Sequence, residues 1–199
     1  MNVSQLVERQ AARYLKNHNA RHFLLGSTVD ELKSLLSGHS SEKYRFRQVI
    51  DGIMNGAREM DDLVLLPKKL RHDLLSSGVC VGRSEIDKVV ASADGTKKIA
   101  SKLFDGLVIE TAAIPTDDRL TVCVSSQVGC AMKCTFCATG KGGYARNLMP
   151  HEILDQILSV KSIFKGKPIT NVVYMGMGEP ALNFPSVLKS VSLLTDPQW

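Results

Sequence analysis

Apolar residues recur every three or four positions through about the first eighty residues of the chain, which is the period of an amphipathic helix. In STVDELKSLLSG the leucines share one face, Thr28 with Glu31 three positions later has the pattern of a helix start, and Gly38 is a stop signal. SEKYRFRQVIDGIMNG and LPKKLRHDLLSSG repeat this arrangement of apolar and polar positions. The pattern predicts a small helical domain over residues 1–82.

The helical period ends near residue 84. Asp-Gly pairs at 94–95 and 105–106 each separate two runs with strand character, which is the strongest short-range signal for a hairpin. We therefore predict a three-stranded meander within residues 83–118. LTVCVSS, residues 120–126, predicts a further strand that leads directly into a group of cysteines.

Helical and strand patterns alternate in the remainder of the chain. MPHEILDQILSVKSIF has Pro150 in its first turn and an apolar stripe, ITNVVYMGMGEP begins as a short apolar strand, and FPSVLKSVSLL is again helical. This order is that of a parallel βα array, whose functional loops lie at the carboxyl ends of the strands. The predicted fold class is α/β, with the first βα units of a larger array over residues 119–199.

Composition excludes several classes of protein. The 199 residues are 44% hydrophobic and 23% charged, without an apolar run long enough to span a membrane, and the amino terminus is too charged for a secretory signal. We expect no membrane partner and a cytoplasmic location, with an organelle stroma or matrix as the alternative. Five cysteines, three of them within eight residues, indicate metal binding or redox chemistry rather than a disulfide framework.

The net charge of +5 and the isoelectric point near 9.0 favour an anionic partner such as nucleic acid. Two basic groups in the helical region are candidates for contacts with phosphate: Lys43, Arg45 and Arg47, and Lys68, Lys69 and Arg71. The alternative is that these side chains form the solvated faces of amphipathic helices.

The cysteine group, GCAMKCTFCATG, contains Cys130, Cys134 and Cys137, with Phe136 just before the last. A structural zinc site usually has four ligands, so a fourth would have to come from elsewhere. A redox dithiol of Cys134 and Cys137 would leave Cys130 without a role. A 4Fe-4S cluster held by three thiolates has one iron open to substrate or cofactor, which explains the absence of a fourth thiol.

The spacing C-x-x-x-C-x-aromatic-C resembles that of the radical S-adenosylmethionine (radical SAM) superfamily. MGMGEP, residues 175–180, resembles the loop in which that family receives the amino group of the cofactor. With VIET at 108–111 and the residues around both motifs, the chain is similar to the radical SAM methyltransferases of adenine C2 in 23S rRNA and tRNA, and their C8-methylating relatives share much of the pattern. The resemblance implies the first part of a radical SAM (βα)6 partial barrel.

The resemblance also implies roles for particular residues. It implies a 4Fe-4S cluster on Cys130, Cys134 and Cys137, contacts to S-adenosyl-L-methionine from Gly178, Glu179 and Phe136, a proton-accepting Glu110, and Cys123 as the thiol that releases the methylated RNA. The partners it implies are 23S rRNA, tRNA and a reductant protein such as flavodoxin or ferredoxin.

The sequence departs from the family in one respect. The family transfers the methyl group through a carrier cysteine near the carboxyl terminus, and no cysteine follows Cys137 in these 199 residues. The expectation is therefore an incomplete copy (a fragment, a truncated product or a degenerate relative) that does not methylate RNA by itself. The alternative function is a non-catalytic RNA-binding or cluster-binding remnant.

Overall fold

A computed structural model describes residues 22–199 of the chain as a mixed α/β structure. The described residues form two compact units, one of residues 22–83 with 189–199 and the other of residues 84–188. No helix among the described residues is both long and apolar enough to cross a membrane.

The first unit is mainly helical. Its elements are β1 (His22–Phe23), α1 (Val29–Ser37), α2 (Arg45–Met54), a 3-10 turn (Met60–Asp62), α3 (Lys68–Ser76) and β2 (Val79–Cys80), which pairs in parallel with β1. Leu24, Leu32, Ile53 and Leu74 are fully buried in its core. At the start of α1, the Thr28 hydroxyl accepts from the Glu31 N–H at 3.2 Å and the Glu31 carboxylate accepts from the Thr28 N–H at 2.6 Å, so the predicted capping is confirmed.

The second unit is built on a five-stranded sheet. Its elements are β3 (Glu85–Ala91), β4 (Lys97–Lys102), β5 (Val108–Pro115), β6 (Leu120–Cys123), β7 (Gln127–Gly129), α4 (Ala138–Lys141), β8 (Tyr144–Asn147), α5 (Pro150–Ile163), β9 (Asn171–Val173), a 3-10 turn (Pro180–Asn183) and α6 (Phe184–Leu194), whose last residues, from Lys189, belong to the first unit. The order in the main sheet is β3-β4-β5-β6-β9, and β7 pairs with β8 separately.

The predicted meander and its two hairpins are confirmed, because β3, β4 and β5 pair antiparallel in sequence order. The meander continues into the same sheet, since β5 pairs antiparallel with β6, and β6 then pairs in parallel with β9. The strand predicted over 120–126 is shorter than expected and ends at Cys123.

Helix α5 contributes to the core of this unit together with one face of the sheet. The side chains of β5 alternate, with Ile109 and Ala113 fully buried and Glu110 exposed. Ile153, Ile157 and Val160 of α5 belong to the same core. The opposite face of the sheet therefore carries Glu110.

Helix α5 differs from the amphipathic helix that its sequence predicts. All residues from Pro150 to Val160 are buried, including the polar ones. Two of the buried polar side chains have partners on distant segments that no periodicity reveals: Asp155 accepts from the Ser84 N–H at 2.8 Å, and Gln156 accepts from the Thr111 hydroxyl at 2.9 Å. These bonds offset the cost of removing polar groups from water.

Arg146 on β8 connects a hairpin turn to the first turn of α5. Its Nε lies 2.7 Å from Asp105 Oδ2, while Nη1 and Nη2 each lie 2.8 Å from an oxygen of Glu152. Glu152 is 2% exposed and also accepts from the Met149 N–H at 2.8 Å, at the start of the helix. The bidentate geometry gives this ion pair both strength and direction.

His151 lies next to this ion pair and is buried. The pKa of its imidazole is lowered to about 4, mainly by burial and to a smaller extent by Arg146, while Glu152 and Asp155 act in the opposite direction. The imidazole is therefore neutral at pH 7, and the folded protein resists its protonation.

We expect the free energy of unfolding to fall by about 2 kcal/mol through His151 as the pH drops from 7 to 5. The unfolded chain binds a proton near the ordinary pKa of 6.5, whereas the folded chain binds it only near 4, so this contribution is fully present above pH 6.5 and is lost toward pH 4. Urea unfolding at several pH values measures it. His151→Gln should flatten the dependence and His72→Gln, at an exposed histidine, should not; equal slopes in both variants would contradict the prediction.

Candidate cofactor site

Two stretches of backbone continue side by side beyond the ends of β6 and β9. The Val124 N–H donates to the Val173 carbonyl at 2.9 Å, and the Gly176 N–H donates back to the Val124 carbonyl at 3.0 Å. Further along, the N–H groups of Ser126 and Gln127 both donate to the Met177 carbonyl. The glycine-rich segment, residues 174–179, is thereby held against residues 124–127.

The close approach of these stretches requires glycine at two positions. A Cβ atom on Gly176 would lie 2.8 Å from the Ser125 Oγ and from backbone atoms of Val124. Gly178 has a φ of +99°, and its Cβ would lie 2.5 Å from the Gln127 Cβ. Both glycines of MGMGEP are therefore needed for the glycine-rich segment to pack against the end of β6.

Glu179 follows these glycines and is half-buried. Its Oε1 accepts from the Ala181 N–H at 3.0 Å and so caps the 3-10 turn, which leaves Oε2 for a cationic group. Its own N–H donates to the Gln127 Oε1 at 2.9 Å. Both the backbone and the carboxylate of Glu179 are held in place.

The three clustered cysteines lie on the loop that follows β7. The Cys130 N–H donates to the Gly143 carbonyl at 2.8 Å, and the Cys130 side chain is buried. Cys134 and Cys137 are half-buried, and the Cys137 N–H donates to the Cys134 carbonyl at 3.1 Å. Between them, Phe136 is 90% exposed.

The surroundings of Cys137 favour its thiolate form more than those of an ordinary thiol do. It is the residue before α4, and the Gly140 N–H, with a smaller contribution from Thr139, lowers the pKa of its thiol. In residues 22–199, however, no three His, Cys, Asp or Glu side chains converge closely enough to hold a metal ion. The structure places the cysteines on one loop but does not turn their sulfur atoms toward one centre.

Glu110 and Cys123 lie on the same face of the sheet. Ala112 on β5 is the register partner of Cys123 on β6, and Glu110 is two residues before Ala112, so the Cβ atoms of Glu110 and Cys123 are diagonal neighbours, roughly 7–8 Å apart or less. The Glu110 carboxylate forms a salt bridge of 2.9 Å with Lys98. The carboxylate of Glu110 and the thiol of Cys123 thus lie near each other on this face of the sheet.

Cys123 also contacts the glycine-rich segment. Burial raises the pKa of its thiol, and a hydrogen bond from the Met175 N–H partly opposes this shift. The thiol is therefore protonated at neutral pH. This bond joins Cys123 to the stretch of chain that contains Gly178 and Glu179.

Sequence reasoning did not identify the polar side chains that connect these parts. Ser125, Gln127 and Asn183 are buried, and the amide of Asn183 donates to the Ser126 and Leu148 carbonyls at 2.7 and 2.8 Å. The available signal was the polar run Ser-Ser-Gln immediately after an apolar strand, where a buried position must find hydrogen-bond partners.

Comparison with known proteins covers both the cysteine loop and the glycine-rich segment. Residues 124–196 match the radical SAM superfamily. The solved structure of a radical SAM methyltransferase from Sphaerobacter thermophilus is 36% identical, with a TM-score of 0.82 over 89% of this chain and 53% of that chain. The similarity to radical SAM proteins therefore includes both motifs. The family resemblance and the fold class predicted from the sequence are confirmed.

The curated relatives of this chain are more specific than the superfamily match, because they are named as RNA methyltransferases. A protein of Thermosynechococcus vestitus is 49% identical over 172 residues, which are 86% of this chain and 50% of the relative. One from Parasynechococcus marenigrum is 49% identical over 175 residues, 87% of this chain and 50% of the relative. Both are named probable dual-specificity RNA methyltransferase RlmN. The chain spans about half the length of the curated relatives it matches.

The superfamily implies a 4Fe-4S cluster and S-adenosylmethionine for this chain. The donors fit a 4Fe-4S cluster because three thiols share one loop and the pKa of Cys137 is lowered. They also fit S-adenosylmethionine, because Glu179 supplies a carboxylate and its N–H is bound to Gln127, on the strand that leads into the cysteine loop. The sulfur atoms must turn toward a common centre to hold a cluster.

Proposed function

We propose that this chain is the cofactor-binding portion of a radical SAM RNA methyltransferase that methylates C2 of adenine in 23S rRNA and tRNA. The observation that carries the proposal is the 45–49% identity to curated RNA methyltransferases over 86–87% of the chain, which extends well beyond the superfamily match. Cytoplasmic ribosomes, or those of an organelle stroma or matrix, would supply these RNAs.

In this proposal Cys130, Cys134 and Cys137 hold the 4Fe-4S cluster, and Gly178 and Glu179 bind the amino group of S-adenosylmethionine. Glu179 suits an ammonium group because its Oε1 is bound to the Ala181 N–H while its Oε2 is not. The exposed ring of Phe136 provides an apolar contact for the cofactor beside the cluster loop. A flavodoxin or ferredoxin supplies the electron.

The reaction explains why a carboxylate and a thiol would lie together. C2 of adenine is an electrophilic amidine carbon without a lone pair, so polar methyl transfer from a sulfonium does not reach it. The bound cluster and S-adenosylmethionine supply the radical chemistry that this carbon requires. In this proposal Glu110 accepts the proton lost from C2. The Cys123 thiol would then attack the sulfur of the carrier cysteine in the covalent adduct, so that a disulfide forms, the bond between that sulfur and carbon breaks, and the carbon takes up a proton. No cysteine after Cys137 in these 199 residues can act as that carrier.

The domain predicted over residues 1–82, of which residues 1–21 lie outside the described part of the chain, is proposed to dock on the RNA. Lys43, Arg47, Lys68 and Lys69 are exposed in the structure and suit contacts with phosphate. Arg71 does not, because its side chain is 12% exposed and its Nη1 donates to the Asp61 carbonyl at 2.6 Å. Arg45 is also engaged, donating to the Gln48 amide oxygen at 2.8 Å.

Deleting the gene from its host is expected to remove 2-methyladenosine from 23S rRNA and tRNA, as measured by mass spectrometry of digested RNA. Returning the whole gene should restore the modified nucleoside, whereas a copy that encodes residues 1–199 alone, in which no cysteine follows Cys137, should not. Genes with Cys130→Ala, Glu110→Gln or Cys123→Ala should not restore it, while Cys80→Ala, at a cysteine outside the site, should.

Each alternative has its own result in this experiment. Unchanged 2-methyladenosine in the deletion strain would contradict the proposal and leave a non-catalytic RNA-binding or cluster-binding role. Loss of 8-methyladenosine instead would assign the chain to the C8-methylating relatives. Restoration by Glu110→Gln or Cys123→Ala would contradict the role given to that residue alone.

A further inference from the structure

Side chains replace main-chain acceptors where the ladder between β6 and β9 ends. The Met177 N–H donates to the Ser125 Oγ at 2.9 Å, and the Glu179 N–H donates to the Gln127 Oε1 at 2.9 Å, while the Met177 carbonyl still accepts from main-chain N–H groups. The main-chain amides of Met177 and Glu179 are thus bound by the side chains of Ser125 and Gln127, two residues apart on each segment.

Both side chains are buried and held from a second direction. Ser125 is 0% exposed; its Oγ donates to the Glu110 carbonyl at 2.6 Å, and Gln156 accepts from its N–H at 2.7 Å and donates to its carbonyl at 3.0 Å. Ser125 therefore joins the strand that carries Glu110 to the glycine-rich segment.

Gln127 is 1% exposed, and its Nε2 donates to the Asn147 Oδ1 at 2.7 Å. That bond sets the orientation of the amide, because a flipped amide would place two acceptors together at Asn147 and a donor against the Glu179 N–H. Asn147 is itself held, since its Nδ2 donates to the Leu182 carbonyl at 3.1 Å. The amide oxygen of Gln127 thus has one permitted direction, toward Glu179.

We propose that Ser125 and Gln127 are positioning residues that hold Met177 and Glu179 in the conformation that receives the cofactor. Only the identity of the ligand rests on the proposed function; the positioning of the segment does not. A segment held before binding does not lose conformational entropy when the ligand arrives, so the affinity depends on these two side chains.

Hydrogen exchange of the metal-free chain tests the positioning directly. In Gln127→Met, which keeps the length of the side chain but removes its acceptor, the Glu179 amide should exchange about tenfold faster. Ser125→Ala should have the corresponding effect on the Met177 amide, which gives a second test if the Gln127 variants fold poorly.

Thr170→Val is the matched control. The Thr170 Oγ1 accepts from the Leu120 N–H at 3.1 Å at the opposite ends of the same two strands, so its loss removes a comparable bond without touching the glycine-rich segment. Exchange at Met177 and Glu179 should stay at the wild-type rate in this variant.

Calorimetric titration of S-adenosylmethionine into the cluster-reconstituted chain gives the second measurement. We expect Gln127→Met to weaken binding about tenfold and Thr170→Val to leave it unchanged. Wild-type exchange at Glu179 in Gln127→Met, or faster exchange spread evenly over residues 84–188, would overturn the inference. A wild-type chain that binds no S-adenosylmethionine would instead overturn the proposed cofactor role, and hydrogen exchange would still decide the positioning.

Discussion

Replacing Cys137 by alanine is expected to remove nearly all of the iron that the wild-type chain takes up in anaerobic reconstitution. The wild-type chain should hold about four irons and four sulfides, because three thiolates can support a 4Fe-4S cluster with one open iron. Two thiolates cannot, so Cys130→Ala and Cys134→Ala should lose the cluster as completely. Iron and sulfide analysis, together with the visible absorption of the cluster, measures the loss.

The chain contains its own control for this experiment. Cys80 lies on β2, outside the cysteine loop, and Cys80→Ala should reconstitute like the wild-type chain. Iron retained by Cys137→Ala, or a tightly bound zinc without iron uptake, would contradict the assignment of the three cysteines.

Arg146→Met is expected to lower the free energy of unfolding by about 3 kcal/mol. The substitution keeps much of the volume of the side chain but leaves the Glu152 carboxylate, 2% exposed, without the guanidinium that it faces at 2.8 Å. It also removes the ion pair of Asp105 in the hairpin turn, which keeps its hydrogen bond from the Leu107 N–H. Urea unfolding of the metal-free chain at pH 7.5 measures the change.

Arg119→Met makes the same chemical change at an exposed ion pair with Asp118. Because solvent screens such pairs, we expect a loss of about 0.5 kcal/mol or less. Equal destabilisation by the two substitutions would show that Arg146 contributes no more than an exposed arginine.

The sequence was informative wherever local rules decide the structure. The Thr28 cap, the Asp-Gly turns at 94–95 and 105–106 and the helix starting at Pro150 depend on residues within a few positions of one another, and all three were predicted. The cysteine spacing and the glycine-rich motif were equally local, and the family they indicated is confirmed.

Features that depend on distant residues were not predictable from local patterns. The strand predicted over 120–126 ends at Cys123, and beyond it the facing segment is bound by irregularly spaced main-chain hydrogen bonds together with the side chains of Ser125 and Gln127. Likewise, the burial of Glu152 depends on Arg146 of another strand. In each case the partner of a polar group had to be known before its burial could be expected.

The two edge strands of the main sheet, β3 and β9, differ in how readily another strand could pair with them. Strand β3 lies at one edge, and its pairing with β4 is interrupted by a bulge between Ile86 and Lys88. It also carries the exposed charges of Glu85 and Lys88. Bulges and charges of this kind prevent a passing strand from adding to an edge.

Strand β9 lies at the other edge and has none of these features. It is three residues long, uncharged and regularly paired, with Val172 and Val173 half-buried. Among the strands of the described chain, only β6 pairs with it. The β3 edge is therefore protected by a bulge and by charges, whereas the protection of the β9 edge is its short length, so that a longer strand would meet less resistance on the parallel side of this sheet.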